Sequence, residues 1–369
     1  MRAAAVWLAF AIAISLTTPA DSFAAETSTE VAKEKAGRLM DEAQELAASG
    51  EPESALACMT EAAATGDAEA INGLATFVNM GIGGEPDPGR ARELWQRALA
   101  AGSIGASLNL GLQLMQSDAP ADHTRAVKLL GPLYDSPPED SGKETTRGLA
   151  AGGLGIAYTF GLGVEQDVRR GVALLEECDA AGAAWEQTHF LLGRAYESGW
   201  GEREPNPQKS SQHFWAAAEG GHPAAQWHYG MVLLRGEPKD EIGAYSWIRK
   251  AAEGGDRRGM LSTAVMLATG AGVAENDAEA REWYQRAVND FASAHALRGL
   301  GGMLLVGEGG AKDAARGWAY MKLAAEAGEE TAKLGLERLA DRVSARDRRK
   351  ARKLAEEWVA QHGPPRLDD

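Results

Sequence analysis

The pentapeptide AAEGG occurs at residues 217–221 and again at 251–255, 34 positions apart, and a variant, AAEAG, stands at 324–328. Repetition at a fixed distance restricts a chain to one supersecondary unit stacked many times, because a single unit cannot bury its apolar face alone. The rest of the chain extends the period. Small residues at Ala75, Gly111, Gly155, Gly193, Gly230, Ala264 and Gly301 are each followed three positions later by a large one: Val78, Leu114, Tyr158, Tyr196, Leu233, Leu267 and Leu304. Six positions later come Gly81, Ser117, Gly161, Gly199, Gly236, Gly270 and Gly307. A residue with little or no side chain admits a neighbouring helix, the residue at i+3 shares its face, and the later glycine can take the left-handed conformation that ends a helix. The spacing therefore predicts a first helix, A, in every unit.

After each terminator a short turn leads to Asp87, Asp122, Asp167, Asn206, Asp240, Asp277 or Asp313. These side chains could pass for a ligand set, but an N-cap at the start of a second helix, B, accounts for all seven. Helix B ends in the AAEGG stretch. Anchors at Gly66, Gly102, Gly142, Gly182, Gly221, Gly255, Phe291 and Gly328 give unit lengths of 36, 40, 40, 39, 34, 36 and 37 residues. Phe291 replaces glycine, so that turn is expected to be built differently. Bulky residues such as Trp95, Leu175, Phe214, Trp247 and Trp283 sit seven or eight positions before the anchors and are expected in the core, with Ala pairs leaving room for the adjoining helix.

Segments such as LGIAYTFGLGVEQDVRRGVALLEECDAAG and YGMVLLRGEPKDEIGAYSWIRKAAEGGD resemble the Sel1-like repeat, a relative of the tetratricopeptide repeat. The resemblance implies an all-α chain, an α/α superhelical solenoid whose A helices line a concave surface with the B helices outside. The expected organisation is a signal peptide at 1–24, a tetratricopeptide-like helix pair at 25–66, seven Sel1-like repeats at 67–328, and capping helices with a basic segment and short tail at 329–369. The copy at 103–142 departs most, with Ser117 in place of the capping glycine and a proline-rich stretch after residue 131. A degenerate repeat and a contact loop are both open readings of it.

The first residues carry Arg2, an apolar run from Ala3 to Leu16 that is short for a membrane span, and the small residues Ser22 and Ala24 on either side of Phe23. This is the pattern of a secretory signal, cleaved after Ala24 or else after Ala20 or Ala25; an uncleaved anchor is the alternative. Export predicts a periplasmic or secreted protein with no stable membrane insertion after cleavage. A net charge of −15 disfavours nucleic acid as a partner. The exception is RLADRVSARDRRKARK at 338–353, with eight basic residues, read as the solvated face of a terminal helix or as a site for an anionic lipid, polysaccharide or acidic partner. Cys58 and Cys178 lie far apart in the array and are expected as two separate buried thiols.

HExxH, CxxC, GxSxG, SxxK and P-loop motifs are absent, and GEGGAKD at 307–313 lacks the ending that holds phosphate and magnesium. His213, His222 and His228 form a local histidine cluster, but helix-turn roles account for them; no metal and no cofactor is expected. The residues the repeat leaves free are the better pointers. Trp200, just past Gly199, with Arg194 and Glu197 on the same A helix and Gln226 and Trp227 on the next, are candidate protein-binding residues, since exposed Trp and Arg often anchor interfaces. The expected function is that of an exported, non-catalytic scaffold or adaptor that binds protein on its concave face in the bacterial cell envelope. A polysaccharide, surface or host-factor binder is the alternative. The resemblance also admits a β-lactamase-like hydrolase, but those relatives carry a Cys pair in each repeat and this chain has two Cys in all.

Overall fold

The computed structural model describes residues 26–136, 141–202 and 204–367, and the expected signal peptide lies outside them. The described chain is all-helical. It divides at Ser210 and Ser211 into two compact units. The first contains α1 (Glu26–Ser49), α2 (Pro52–Ala64), α3 (Ala68–Met80), α4 (Pro88–Ala100), α5 (Ile104–Met115), α6 (Pro120–Asp135), α7 (Ser141–Phe160), α8 (Val168–Ala180) and α9 (Glu186–Ser198). The second contains most of α10 (Pro207–Glu219), then α11 (Pro223–Arg235), α12 (Glu241–Glu253), α13 (Arg257–Thr269), α14 (Asp277–Phe291), α15 (Ala294–Val306), α16 (Ala314–Glu326), α17 (Glu330–Leu339) and α18 (Ala345–His362). Within each unit the chain is an α/α solenoid of helical hairpins, α3 with α4, α7 with α8, α13 with α14 and α15 with α16 among them.

Small residues set the distance inside a hairpin. A methyl added at Gly171 of α8 would stand 2.6 Å from the Thr159 nitrogen of α7, and one added at Gly155 would stand 3.0 Å from the Gly171 carbonyl oxygen. Gly301 and Gly317 repeat the arrangement between α15 and α16. Large residues fill the layers between. In the first unit Trp95, Leu110, Leu130 and Leu154 belong to one buried cluster, and in the second Leu267, Trp283, Leu297 and Trp358 belong to another. Trp247 departs from the expected burial: it is half-buried, edge-on to Tyr229 at 5.7 Å, while its neighbour Ile248 takes the core position.

The A-helix terminators Gly81, Gly161, Gly199, Gly270 and Gly307 all have positive φ. Gly236 does not; its φ is −65°. The loop after it reaches its Asp240 cap two residues sooner than the loop from Gly81 to Asp87, so the chain leaves α11 by a different path. The longer loops share a device that the helix-end spacing does not reveal, a second glycine two positions on. Gly272, at φ +69°, lies so close to the start of α12 that an added methyl would stand 2.0 Å from the Glu241 carbonyl oxygen. Gly83, Gly163 and Gly309 lie against the starts of α2, α6 and α14 in the same way. Each such loop seats one unit on the B helix of the unit before it.

The caps follow expectation at Asp87, Asp167, Asn206, Asp240 and Asp313, whose side chains accept from backbone N–H groups three residues on. Two corrections are needed. Asn276, not Asp277, caps α14, because of two adjacent polar residues only Asn276 has the non-helical backbone of a cap. Asp122 lies inside α6, which already begins at Pro120; its carboxylate pairs with Arg92 at 3.0 Å and is held below the usual carboxylate range, chiefly by a hydrogen bond from Ser117. Gly142 is likewise no turn, since it falls in the first turn of the 20-residue α7. At the glycine-less anchor the left-handed residue is Ala292, at φ 53°, and the C-terminal tail returns to this turn: the Ala294 N–H donates to the Arg366 carbonyl at 2.8 Å and the Arg366 N–H to the Ala292 carbonyl at 3.0 Å. No described helix is long and apolar enough to cross a membrane.

Candidate functional site

The A helices carry the candidate residues, and the structure sorts these into two groups, one in each unit. In the first unit, α9 ends at Gly199 and the chain enters a short 3-10 turn at Trp200. Trp200 packs against a buried cluster that includes Val172, Leu191 and Tyr196, so it is half-buried rather than free. The Arg194 guanidinium lies 5.7 Å from the centre of that ring, and its Nε is 3.5 Å from Glu197 Oε2. That Nε is buried without a hydrogen-bond partner among the described residues. Arg194, Glu197 and Trp200 are therefore together, the guanidinium paired with the carboxylate beside the ring. Beside them Tyr196 donates to Glu176 at 2.7 Å, and Lys209 stands 4.8 Å over its ring. Burial, reinforced by that carboxylate, pushes the Tyr196 phenol above its ordinary value.

In the second unit Gln226 and Trp227 separate. Gln226 is buried, and its amide donates to the Ala218 carbonyl of α10 at 3.3 Å. With its side chain buried and its amide nitrogen engaged between helices, Gln226 does not stand at the surface where it was expected. Trp227 is half-buried on α11, with its indole N–H donating to Ser262 Oγ of α13 at 3.0 Å. Arg258, from the first turn of α13, places its guanidinium 4.2 Å from the centre of the Trp227 ring. The same group lies 3.2 Å from His228 Nε2 and 3.3 Å from Asp256 Oδ2. His228 in turn stacks on Phe214 at 4.6 Å. The result is a preorganised aromatic and cationic cluster held by two consecutive A helices, in which Trp offers apolar area and Arg offers hydrogen-bond donors.

Arg258, Ser262 and Asp256 were not singled out from the sequence. Arg258 is 31 positions from Trp227, and only the hairpin geometry brings it over the ring. The one available signal was the pair Arg257-Arg258 directly after a cap, where the other A helices carry no Lys or Arg. Among the histidines, His222 caps α11 by accepting the Ala225 N–H at 3.3 Å, and burial holds its pKa below 6.5. Cys178 is buried and its thiol is pushed up to about 12 by that burial, whereas Cys58 is half-buried and donates to the Leu39 carbonyl at 3.3 Å.

Hairpins of this kind, with small residues inside and loops seated on the preceding unit, define an α/α repeat protein. The Sel1 repeat family pattern matches residues 68–103, 149–177, 187–222, 223–256, 258–289 and 294–329, more than half of the chain, and the chain belongs to the Sel1 repeat family. The pattern does not extend over the copy built from α5 and α6. A crystal structure of a Sel1 repeat protein from Oxalobacter formigenes is 22% identical and matches over 65% of this chain and 95% of that one, with a TM-score of 0.50, so the two share a fold. A protective antigen present in uropathogenic Escherichia coli strains, displaying an SLR fold, is 18% identical over 91% of this chain and 85% of that one, with a TM-score of 0.45.

Proposed function

We propose that this chain is an exported, non-catalytic repeat scaffold of the bacterial cell envelope that holds a protein partner against the A helices, the concave face in a solenoid of this type. The observation that carries the reading is the Trp227, Arg258 and Ser262 cluster. It joins two consecutive A helices at positions the repeat does not require for packing or capping. Trp and Arg are the residue types that concentrate binding energy at interfaces, and a cluster already fixed by its own contacts loses little freedom on binding. The Arg194, Glu197 and Trp200 group is a separate candidate contact within the first unit. The division into a signal peptide, a terminal helix pair, seven repeats and capping helices belongs to the same reading. Support for export comes from the amino-terminal sequence pattern, and support for adaptor function from the family fold.

Two experiments test it. Fractionation of cells producing a C-terminally tagged chain should find a shortened form outside the cytoplasm; a full-length cytoplasmic form would refute export. Affinity capture with Trp227→Ala and Arg258→Ala together should lose a specific partner while the helical circular-dichroism signal is kept. Unchanged capture by a folded double variant would remove this surface.

A further inference from the structure

The basic segment at the end of the chain has a more specific neighbourhood than a solvated helix face. Helix α18 packs on α16, which brings its first turns opposite the loop that precedes α16. An open cleft lies between them, lined by Arg281 of α14, Lys312, the start of α16 from Asp313 to Arg316, and Asp347 and Lys350 of α18. Four of these side chains are cationic. The two acids are already engaged at helix starts: Asp313 Oδ1 accepts the Arg316 N–H at 2.9 Å, and Asp347 Oδ2 accepts the Ser344 hydroxyl at 2.7 Å. Arg281 gives one N–H to the Ala311 carbonyl at 3.1 Å, which fixes its guanidinium at the cleft. Arg316 is held only loosely, its Nε 3.8 Å from Asp313 Oδ2. Lys312 and Lys350 are exposed and form no ion pair among the described residues.

This concentration runs against the rest of the molecule. With 53 acidic and 38 basic residues, the chain has acids to spare for its cations. Around this cleft the fold leaves cations together instead, and Arg346 and Lys350 repeat the same sign at a spacing that weakens a helix. The geometry points to the cleft as a binding site for a small oligoanion, a ligand carrying two or more phosphate or sulfate groups. The four cations come from α14, the loop, α16 and α18, so they approach from different sides. A tetrahedral oxyanion has acceptors in divergent directions to meet them, whereas the acceptors of a carboxylate lie in one plane. The two arginines supply forked donors and the two lysines supply movable point charges. The site lies in the second unit, uses none of the proposed protein-binding residues, and stands or falls separately from that reading.

Calorimetric titration of the full chain with inorganic tripolyphosphate and with a sulfated disaccharide, at low and at physiological salt, tests the assignment. One saturable site that weakens with salt is expected. Lys312→Glu with Lys350→Glu should lower affinity at least about tenfold, while Lys128→Glu with Lys239→Glu, reversing two exposed lysines elsewhere, should change it less than about twofold. Equal affinity for both probes supports recognition of the anionic groups alone, and a preference for the disaccharide supports a saccharide carrier. Absence of saturable binding, or equal weakening by both pairs of reversals, overturns the proposal.

Discussion

The loop glycines allow the seating of one repeat on another to be separated from the ending of a helix. Gly270 and Gly272 lie two residues apart with nearly the same backbone, at φ +70° and +69°. Alanine at Gly270 would meet nothing closer than 3.7 Å, so its cost is the left-handed conformation alone, about 1–2 kcal/mol. Alanine at Gly272 carries the same backbone cost and in addition drives a methyl to 2.0 Å from the Glu241 carbonyl oxygen, a main-chain atom at the start of α12 that cannot swing aside. Overpacking of this kind adds about 1–3 kcal/mol, for a total of about 2–5 kcal/mol. Urea denaturation followed by Trp fluorescence suits the comparison, because Trp283 is buried in α14, the helix this loop leads into. Repeat arrays can lose cooperativity, so the two variants are best compared through the transition that reports on the second unit. Equal destabilisation by the two substitutions, or a larger effect at Gly270, would refute the seating role.

Other expectations follow from single contacts. Gly230→Val should cost at least about 1–3 kcal/mol in the same assay, since even a methyl there would stand 2.6 Å from Ile248 Cγ1 and 3.2 Å from the Ala244 carbonyl oxygen. Native thiol labelling near pH 8 should leave Cys178 unreacted, because its thiol is pushed up to about 12, while half-buried Cys58 reacts slowly; denaturation should expose both. His222 is held below its ordinary 6.5 in the fold by burial, so it contributes stability above pH 6.5 that is lost as the pH falls through its lower folded value. His222→Asn keeps a capping acceptor without the titration, and should flatten this part of the stability profile in denaturant melts at successive pH values. Removing residues 364–369 deletes two main-chain hydrogen bonds to the turn at Ala292–Ala294, worth about 1–3 kcal/mol together, and should speed hydrogen exchange at the Ala294 amide.

The repeat was legible in the sequence because its requirements are local. A helix end needs glycine at one position, a hairpin needs small residues where its helices touch, and an N-cap needs a short polar side chain, so these recur in register. Local rules also set the limits of that reading. They point to Asp277, although the adjacent and chemically similar Asn276 is the cap, and to Asp122, although α6 already begins at Pro120. The shorter loop after Gly236 changed its backbone although the residue type was kept. Gln226 and Trp227 are neighbours in sequence, yet one reaches the Ala218 carbonyl in the interior and the other reaches Ser262 on the next A helix. Which of them faces outward depends on the neighbouring hairpin, as does the approach of Arg258 to the indole. The candidate site was thus legible only as a list of residue types released from the repeat.

The central claim is that a protein partner is held on the A helices of the second unit, around Trp227 and Arg258. Its most direct measurement places a photo-crosslinking amino acid at Met231 or Val265, one turn or two from that cluster, and in separate variants at the exposed B-helix positions Trp215 and Ile242. After irradiation of the native cells, the A-helix positions should give one discrete crosslinked species that disappears with Arg258→Ala, while the B-helix positions give none. The same species from Trp215 or Ile242, or none from Met231 and Val265, would contradict the account.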